Sequence, residues 1–392
     1  MDFDLSEAQS AIQHSLRRWL ANNYDFGQRR AVAQSAEGFS REAWAAYAEL
    51  GLLMLPFSEA DGGLGGNAVD TMVVLEALGA ALALEPYLPT VVVAGSLVAD
   101  LGTGALRNEL LGGISTGTLL ATLAHQEAGV RYNRRRVATT ARREGDGHVL
   151  TGHKAVVLGA PSANRLLVSA RTSGAPDEAA GITLFVVDPH AAGVAIEGYA
   201  NHDAQRAGEV TLSNVKVGAD AVLGPVGGAL PAIERAIDRG IAGLCAEAVG
   251  IMATLNTATL DHLKQRKQFG VPIGNFQALQ HRMVDMVIAT EQSRSLAMLA
   301  ALKADSDDPA ERSRAVSGAK AYIGEALRKV GQDAVQMHGG MGVTDELMAA
   351  HCFKRLTMID ATFGNADHHL GRFSDTLWPD CPTPRRRGAS QP

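Results

Sequence analysis

Between residues 118 and 217 the chain breaks into eight short strand-like runs, and that block constrains everything around it. Residues 118–125, 137–142, 148–151, 154–158, 166–170, 182–187, 193–199 and 209–217 are rich in β-branched and aliphatic side chains. Gly, Pro, Asn and Asp turns separate them at a spacing of about 8–12 residues, the pattern of a β-sandwich or barrel. On both sides the period changes to that of a helix. After the block, Ile233, Ile237, Ile241, Leu244, Ala248, Met252 and Leu255 recur at steps of 4, 4, 3, 4, 4 and 3, one face of a long helix. A second helix is predicted from about 277 to 304 and a third over 315–335, with an acidic turn, Asp305-Ser306-Asp307-Asp308-Pro309, between them. A fourth follows the glycines at Gly339.

Before the block, Leu5, Gln9, Ile12 and Leu16 start a helical stripe, with Ser6 and Gln9 spaced as a capping box. Residues 42–53 form a second helix and 69–84 a third, stopped by Glu85-Pro86. The class is therefore α+β. A helical domain spans 1–117, a β domain 118–228 and a four-helix bundle 229–378, with a disordered tail over 379–392.

Net charge of -6 excludes the basic stripe of a nucleic-acid protein. Arg385, Arg386 and Arg387 sit among Pro, Gly and Ser and read as tail. Cys245, Cys352 and Cys381 lack metal, redox or disulfide spacing, so no metal site and a reducing cytoplasm are expected. The most apolar region, 71–101, is broken by Glu76, Glu85, Pro86 and Pro89, so no membrane span is expected there. The acidic N-terminus does not read as a signal peptide.

Two segments of the last domain carry a resemblance. Arg266-Lys267-Gln268-Phe269-Gly270-Val271-Pro272-Ile273, followed by Gln277, and Gln336-Met337-His338-Gly339-Gly340-Met341-Gly342 resemble signatures of the acyl-CoA dehydrogenase family in order, spacing and helical context. Thr151-Gly152-His153-Lys154, 183–187 and 214–224 also fit. The run Cys245-Ala246-Glu247-Ala248-Val249-Gly250 is similar to small subunits of pimeloyl-CoA dehydrogenase-like enzymes. The resemblance implies FAD bound between subunits of a tetramer, an acyl-CoA substrate and an electron-transfer flavoprotein as acceptor. It places Arg266 on the pyrophosphate of a neighbouring subunit's FAD, where a permanently charged guanidinium suits phosphate oxygens. It places Phe269 and Gln277 beside that cofactor, and Gln336, Gly339 and Gly340 along its pyrophosphate and ribose, where absent side chains admit backbone amides.

Other positions depart from the family. Its Thr-Glu-Pro and Gly-Ser-Asp stretch reads His125-Gln126-Glu127-Ala128-Gly129-Val130-Arg131-Tyr132-Asn133 here, keeping only Glu127. Val156-Val157-Leu158-Gly159 replaces a Trp-Ile-Thr that flanks flavin, leaving Gln126 as a hydrogen-bonding candidate for the flavin edge. The family's catalytic glutamate sits in one of two places. These correspond to Gly240, on the first long helix of the last domain, and Gly364, after Phe363. Glu247 and Asp367 are the acids left nearby, the first on the apolar stripe of its helix, the second at the start of the last one. Glu247 is read either as a base or as a buried partner of an arginine, and Asp367 as a base or a helix cap. His368-His369 is a poor metal pair, because adjacent helical side chains diverge.

Three readings follow. The chain completes the FAD site of a paralogous subunit that carries the base. It is a self-sufficient homomer using Glu247 or Asp367. Or it is a non-catalytic paralogue that binds acyl-CoA. Gly240, Gly243, Ala246 and Gly250 leave room for a bulky acyl group or allow close helix packing. Arg131, Arg134, Arg135 and Arg136 face either a carboxylate, CoA phosphates or solvent.

Overall fold

The computed structural model describes residues 5–377, so the tail expected over 379–392, with Cys381 and Arg385 to Arg387, lies outside the described residues. The N-terminal helices are α1 (Glu7–Asn23), α2 (Phe26–Gln34), α3 (Arg41–Glu49), α4 (Ala68–Ala80), α5 (Ser96–Leu101) and α6 (Gly104–Ser115). Local chemistry sets their starts. The Ser6–Gln9 capping box forms as predicted, and Asp25–Gln28 and Asn67–Asp70 build two more at α2 and α4. The third predicted helix stops at Ala80, short of Glu85-Pro86. Residues Leu88–Gly95 then wind as a π-helix leading into α5. Pro89 reads as a breaker but sits in the first turn of that element, where its missing N–H costs nothing.

The middle domain has strands β1 (Ala121–Ala124), β2 (Thr140–Glu144), β3 (Gly147–Leu158), β4 (Arg165–Arg171), β5 (Ile182–Val187), β6 (Val194–Ala200), β7 (Arg206–Val217) and β8 (Val222–Leu223). They form one sheet in the order β6-β7-β3-β2-β4-β5-β8, with β1 parallel to β4. The runs read as 148–151 and 154–158 are one strand. Two register shifts against β7, between Leu150 and Gly152 and between Lys154 and Val157, interrupt the alternation that a regular strand would show.

The C-terminal domain packs α7 (Leu230–Gln265), α8 (Gln277–Ala304), α9 (Pro309–His338) and α10 (Met348–Ala361) as a bundle, with α11 (Ala366–Leu377) laid on α9. By length and composition α7 could cross a membrane, but 78% of its most apolar window is buried in the protein, which makes it a core helix. It packs on α4 at backbone distance. A Cβ on Gly250 would lie 2.0 Å from the Glu76 carbonyl oxygen, one on Gly79 2.3 Å from that of Glu247, and one on Gly243 2.5 Å from Leu75 Cδ1. Gly243 and Gly250 therefore serve helix packing, not acyl-group room. One continuous core joins both helical domains to one face of the sheet, and a second, smaller core fills the middle domain.

Candidate active site

A pocket opens where the sheet meets α7 and the π-helical segment. Gln126 and Val156 to Leu158 form one wall; Pro89, Val93, Ile237 and Phe363 form the other. A groove lined by Arg134, Asp367, His368 and Arg372 adjoins it through the shared segment 130–134. The two positions expected for a catalytic carboxylate both border this region, and both are filled by neighbours. A Cβ on Gly240 would meet Val93 Cγ2 at 3.0 Å and Phe363 Cε2 at 3.1 Å. Gly364 has φ +125° and a Cβ there would lie 2.6 Å from both His368 Cδ2 and His369 Nε2. The buried Lys320 ammonium donates to the Gly364 carbonyl at 2.7 Å and to that of Asp360 at 2.9 Å, fixing the loop.

Glu247 is buried. Arg355 holds it by both oxygens, Nε to Oε1 at 2.6 Å and Nη2 to Oε2 at 2.7 Å, and donates Nη1 to Asp203 Oδ2 at 2.8 Å. Glu247 borders a cavity on the far side of Pro89 and Leu158, not the pocket with Phe363 and Gln126. Asp367 is exposed on the groove rim, in the first turn of α11. The cap there is made by Asn365, whose Oδ1 accepts from His368 N at 3.1 Å, so the reading of Asp367 as the cap is corrected. The structure thus brings neither acid to Gln126.

Glu127 serves the middle domain. It accepts from Lys154 Nζ at 2.6 Å, Thr139 Oγ1 at 2.7 Å, Thr139 N at 3.0 Å and Ala138 N at 2.7 Å. Burial alone would raise its carboxyl; the Lys154 charge and these hydrogen bonds hold it down to about 2. Gln126 has its backbone carbonyl bonded to Ala155 N at 2.8 Å, while its exposed side chain has no hydrogen bond among the described residues.

The other predicted residues gather on a separate surface. Lys267–Gln268 and Val271–Pro272 pair as a small hairpin with Phe269-Gly270 at its tip, both at positive φ as a two-residue hairpin turn requires. Phe269 is 91% exposed and meets Phe276 edge-on at 6.0 Å. The rings of His262 and His338 lie tilted against each other with centroids 4.5 Å apart, which sets the Arg266 hairpin near Gly339, 73 residues on in sequence. Arg266, Gln277, Gln336, Gly339 and Gly340 are all exposed. Arg266 has no side-chain hydrogen bond or ion pair among the described residues, and no atom lies within 4 Å of a Cβ added at Gly339 or Gly340. A free guanidinium beside an open glycine cradle is the donor set that a pyrophosphate-bearing cofactor such as FAD takes.

His125, His368 and His369 were not singled out by sequence as titrating groups, because their burial comes from packing. Burial first, then the Lys154 charge, pushes His125 down to about 3. Burial, then Lys320, pushes His369 down to about 2, and burial, then Arg372, His368 to about 4. The folded values lie below the unfolded value of about 6.5, so the unfolded chain binds more protons as pH falls below it. Stability is expected to fall as pH drops from about 6.5 towards 4, seen as a falling melting temperature. Glu85, raised by burial, opposes this in part. A flat melting profile across that window would contradict the burial of the three imidazoles. Among the described residues no group of three or more His, Cys, Asp or Glu could hold a metal ion.

Family profiles described as acyl-CoA dehydrogenase N-terminal, middle and C-terminal domains match residues 6–118, 122–215 and 229–376. Acyl-CoA dehydrogenase FadE12 of Mycobacterium tuberculosis is 30% identical, over 87% of this chain and 88% of that protein. Among solved structures, a variant of the Tcur3481–Tcur3483 steroid ACAD is 32% identical with a TM-score of 0.85, covering 95% of this chain and 98% of that one. The ChsE4–ChsE5 complex from Mycobacterium tuberculosis is 26% identical with a TM-score of 0.87, covering 98% and 100%.

Proposed function

The chain belongs to the acyl-CoA dehydrogenase family of FAD-dependent oxidoreductases acting on the CH–CH bond of an acyl-CoA, and from that premise we propose that it works as one of two unlike subunits. In this reading it completes the FAD site of a paralogous partner, and the partner supplies the base. The observation that carries it is the crowding at a pair of glycines: neighbours press on the Cβ positions of Gly240 and Gly364, the two places where the resemblance expects the base. Proton abstraction needs a carboxylate within hydrogen-bond reach of the α carbon. Glu247 has both oxygens engaged by Arg355, and Asp367 faces solvent at the groove rim. The surface around Arg266 is correspondingly complete. Exposed Phe269, Val284, Val287, Ile288, Met341 and Val343 lie on the hairpin, on α8 and just after α9, as a subunit boundary requires.

FAD would supply the acceptor for the hydride leaving the β carbon. Arg266 would neutralise its pyrophosphate charge, Gly339 and Gly340 would leave backbone within reach of it, and Gln126 would offer both donor and acceptor to a flavin edge. An electron-transfer flavoprotein is the proposed acceptor. For the acyl group we favour a bulky, ring-bearing one over the pimeloyl type, supported by the name of the steroid ACAD that is 32% identical to this chain. Titrating steroid-type and dicarboxylyl thioesters side by side separates the two.

Purifying the chain alone and co-expressed with a paralogous subunit tests the division of labour. Alone, it is expected to hold little flavin and to turn over about 10²–10⁴-fold more slowly than the pair, the usual contribution of a general base. Full flavin loading with turnover by the lone chain would refute the two-subunit reading.

A further inference from the structure

Lys154 turns into the middle domain to meet Glu127, but its neighbour His153 is exposed and lies outside the pocket and the groove described above. β3 and β7 run antiparallel and place His153 directly opposite Thr211. Residues two apart on a strand share a face, so Glu209 joins them from β7, and Tyr199 reaches the same face from β6. This face is open to solvent: Thr211 is exposed and the His153 side chain is 45% exposed. Ala195, opposite Thr211 on β6, puts only a small side chain on the other flank of the hydroxyl.

His153 Nε2 lies 2.8 Å from Glu209 Oε2, and its Nδ1 lies 3.2 Å from Thr211 Oγ1. The other Glu209 oxygen accepts from Tyr199 OH at 3.0 Å and from Val156 N at 3.2 Å. These contacts fix the direction of each hydrogen bond. Burial would raise the Glu209 carboxyl, but the Val156 amide, His153 and Tyr199 hold it below its ordinary value, so it is a carboxylate that only accepts. Nε2 of the neutral ring therefore carries the proton, which leaves the Nδ1 lone pair to accept from the Thr211 hydroxyl. A hydroxyl, an imidazole and a carboxylate in series are the parts of an activated nucleophile, recognised by geometry and not by sequence position.

We propose that Thr211 is a self-acylation site whose donor is an acyl thioester, with His153 as its general base and Glu209 as the group that orients the ring. His153 Nδ1 takes the Thr211 proton as Oγ bonds to the thioester carbonyl carbon. The C–S bond then breaks, the thiolate leaves with that proton, and an O-acyl threonine remains. A thioester is the fitting donor because the family acts on acyl-CoA and because a thiol, with a pKa of about 8.5, leaves far more readily than an alcohol or an amine. The site lies on an open sheet face, so it selects the reactive carbonyl and not the acyl chain. It works whichever subunit carries the base for dehydrogenation.

Incubating the full-length protein, in the assembly in which it purifies, with acetyl-CoA and mapping its peptides by mass spectrometry tests the site. Thr211 is expected to gain an acetyl group that alkaline hydroxylamine removes, as it removes esters, while acetyl-lysine amides stay. Thr211→Ser is expected to keep the adduct and Thr211→Val, of the same shape without the hydroxyl, to lose it. His153→Gln can bond both neighbours but cannot take up a proton. It is expected to slow acylation by about 10²–10⁴-fold, with imidazole in the buffer restoring part of the rate. Both positions are exposed, so neither change disturbs a core. Released thiol is followed in parallel, so that an acyl-threonine hydrolysed as fast as it forms is still counted. The proposal is overturned if the parent protein gives neither a Thr211 adduct nor thiol release above that of Thr211→Val, or if His153→Gln acylates within about twofold of the parent. Either result would leave these side chains as a cross-strand contact that only joins β3 to β7.

Discussion

Arg355→Met is expected to lower the free energy of unfolding by about 3–5 kcal/mol, the cost of stripping a buried ion pair of one partner. Arg355 clasps three parts of the fold. It binds Glu247 of α7 through two nitrogens and Asp203, in the turn between β6 and β7, through the third. Its own helix is α10. Burial would lower the guanidinium's pKa, but Glu247 and Asp203 hold it above its ordinary value. Arg29 reinforces the junction, donating Nη2 to the Asp203 carbonyl at 2.9 Å and Nε to that of Leu82 at 3.2 Å. Without Arg355, two carboxylates that are 6% and 2% exposed lose their counter-charge. Denaturant titration gives the number, and a loss under about 1 kcal/mol would mean the clasp is not what joins the domains. Glu247→Gln separates this role from catalysis. With the proposed partner subunit present, turnover is expected to fall less than about tenfold; a loss of about 10³-fold or more with flavin retained would make Glu247 the base.

Gly364→Glu, which places a carboxylate at one of the two positions where the family resemblance expects the base, is expected to destabilise the chain by about 3 kcal/mol or more and to restore no turnover. Two costs add. The backbone at φ +125° is one that L side chains rarely adopt, worth about 1–3 kcal/mol of strain. The new Cβ would also press into His368 and His369 at 2.6 Å, an overpacking cost of about 1–3 kcal/mol. His369 has little freedom to retreat, being fully buried and within hydrogen-bond distance of Ser317 Oγ at 3.1 Å and the Phe363 carbonyl at 3.2 Å. Gly240→Glu is the informative control. Its backbone is helical, and only the Phe363 edge and Val93 must give by a few tenths of an ångström. That variant is expected to fold with a narrowed pocket, and thermal melting of the two side by side measures the difference. If Gly364→Glu melts with the parent protein, the loop is freer than its contacts imply.

Some of this was legible before any coordinates. The change of period at residue 118 and again near 230 marked the three domains, because apolar spacing reports which face a segment buries. The capping box at Ser6 and Gln9 marked the first helix start to the residue, because capping is a local hydrogen bond. The π-helical stretch after Pro86 was not legible, because its winding depends on packing between α7 and the sheet. Nor was the fate of the acids. Glu247 on an apolar stripe announced that it needed a partner, but Arg355 lies 108 residues away and only the fold selects it. Equally, four neighbouring arginines look alike in a row, and only the fold pairs Arg134 with the buried Asp238, Nη1 to Oδ1 at 2.8 Å.

The sequence by itself determined the α-β-α order, the family and the Arg266 and Gly339 motifs, since each rests on periodicity or on residues close together in the chain. Tertiary structure alone decided that His262 and His338 bring those motifs together, that Glu247 is bound, that Gly364 has no room beside it and that Gly240 is tightly packed. Those outcomes depend on which distant side chains meet in a dry interior, where an unpaired charge or an added methylene costs kilocalories.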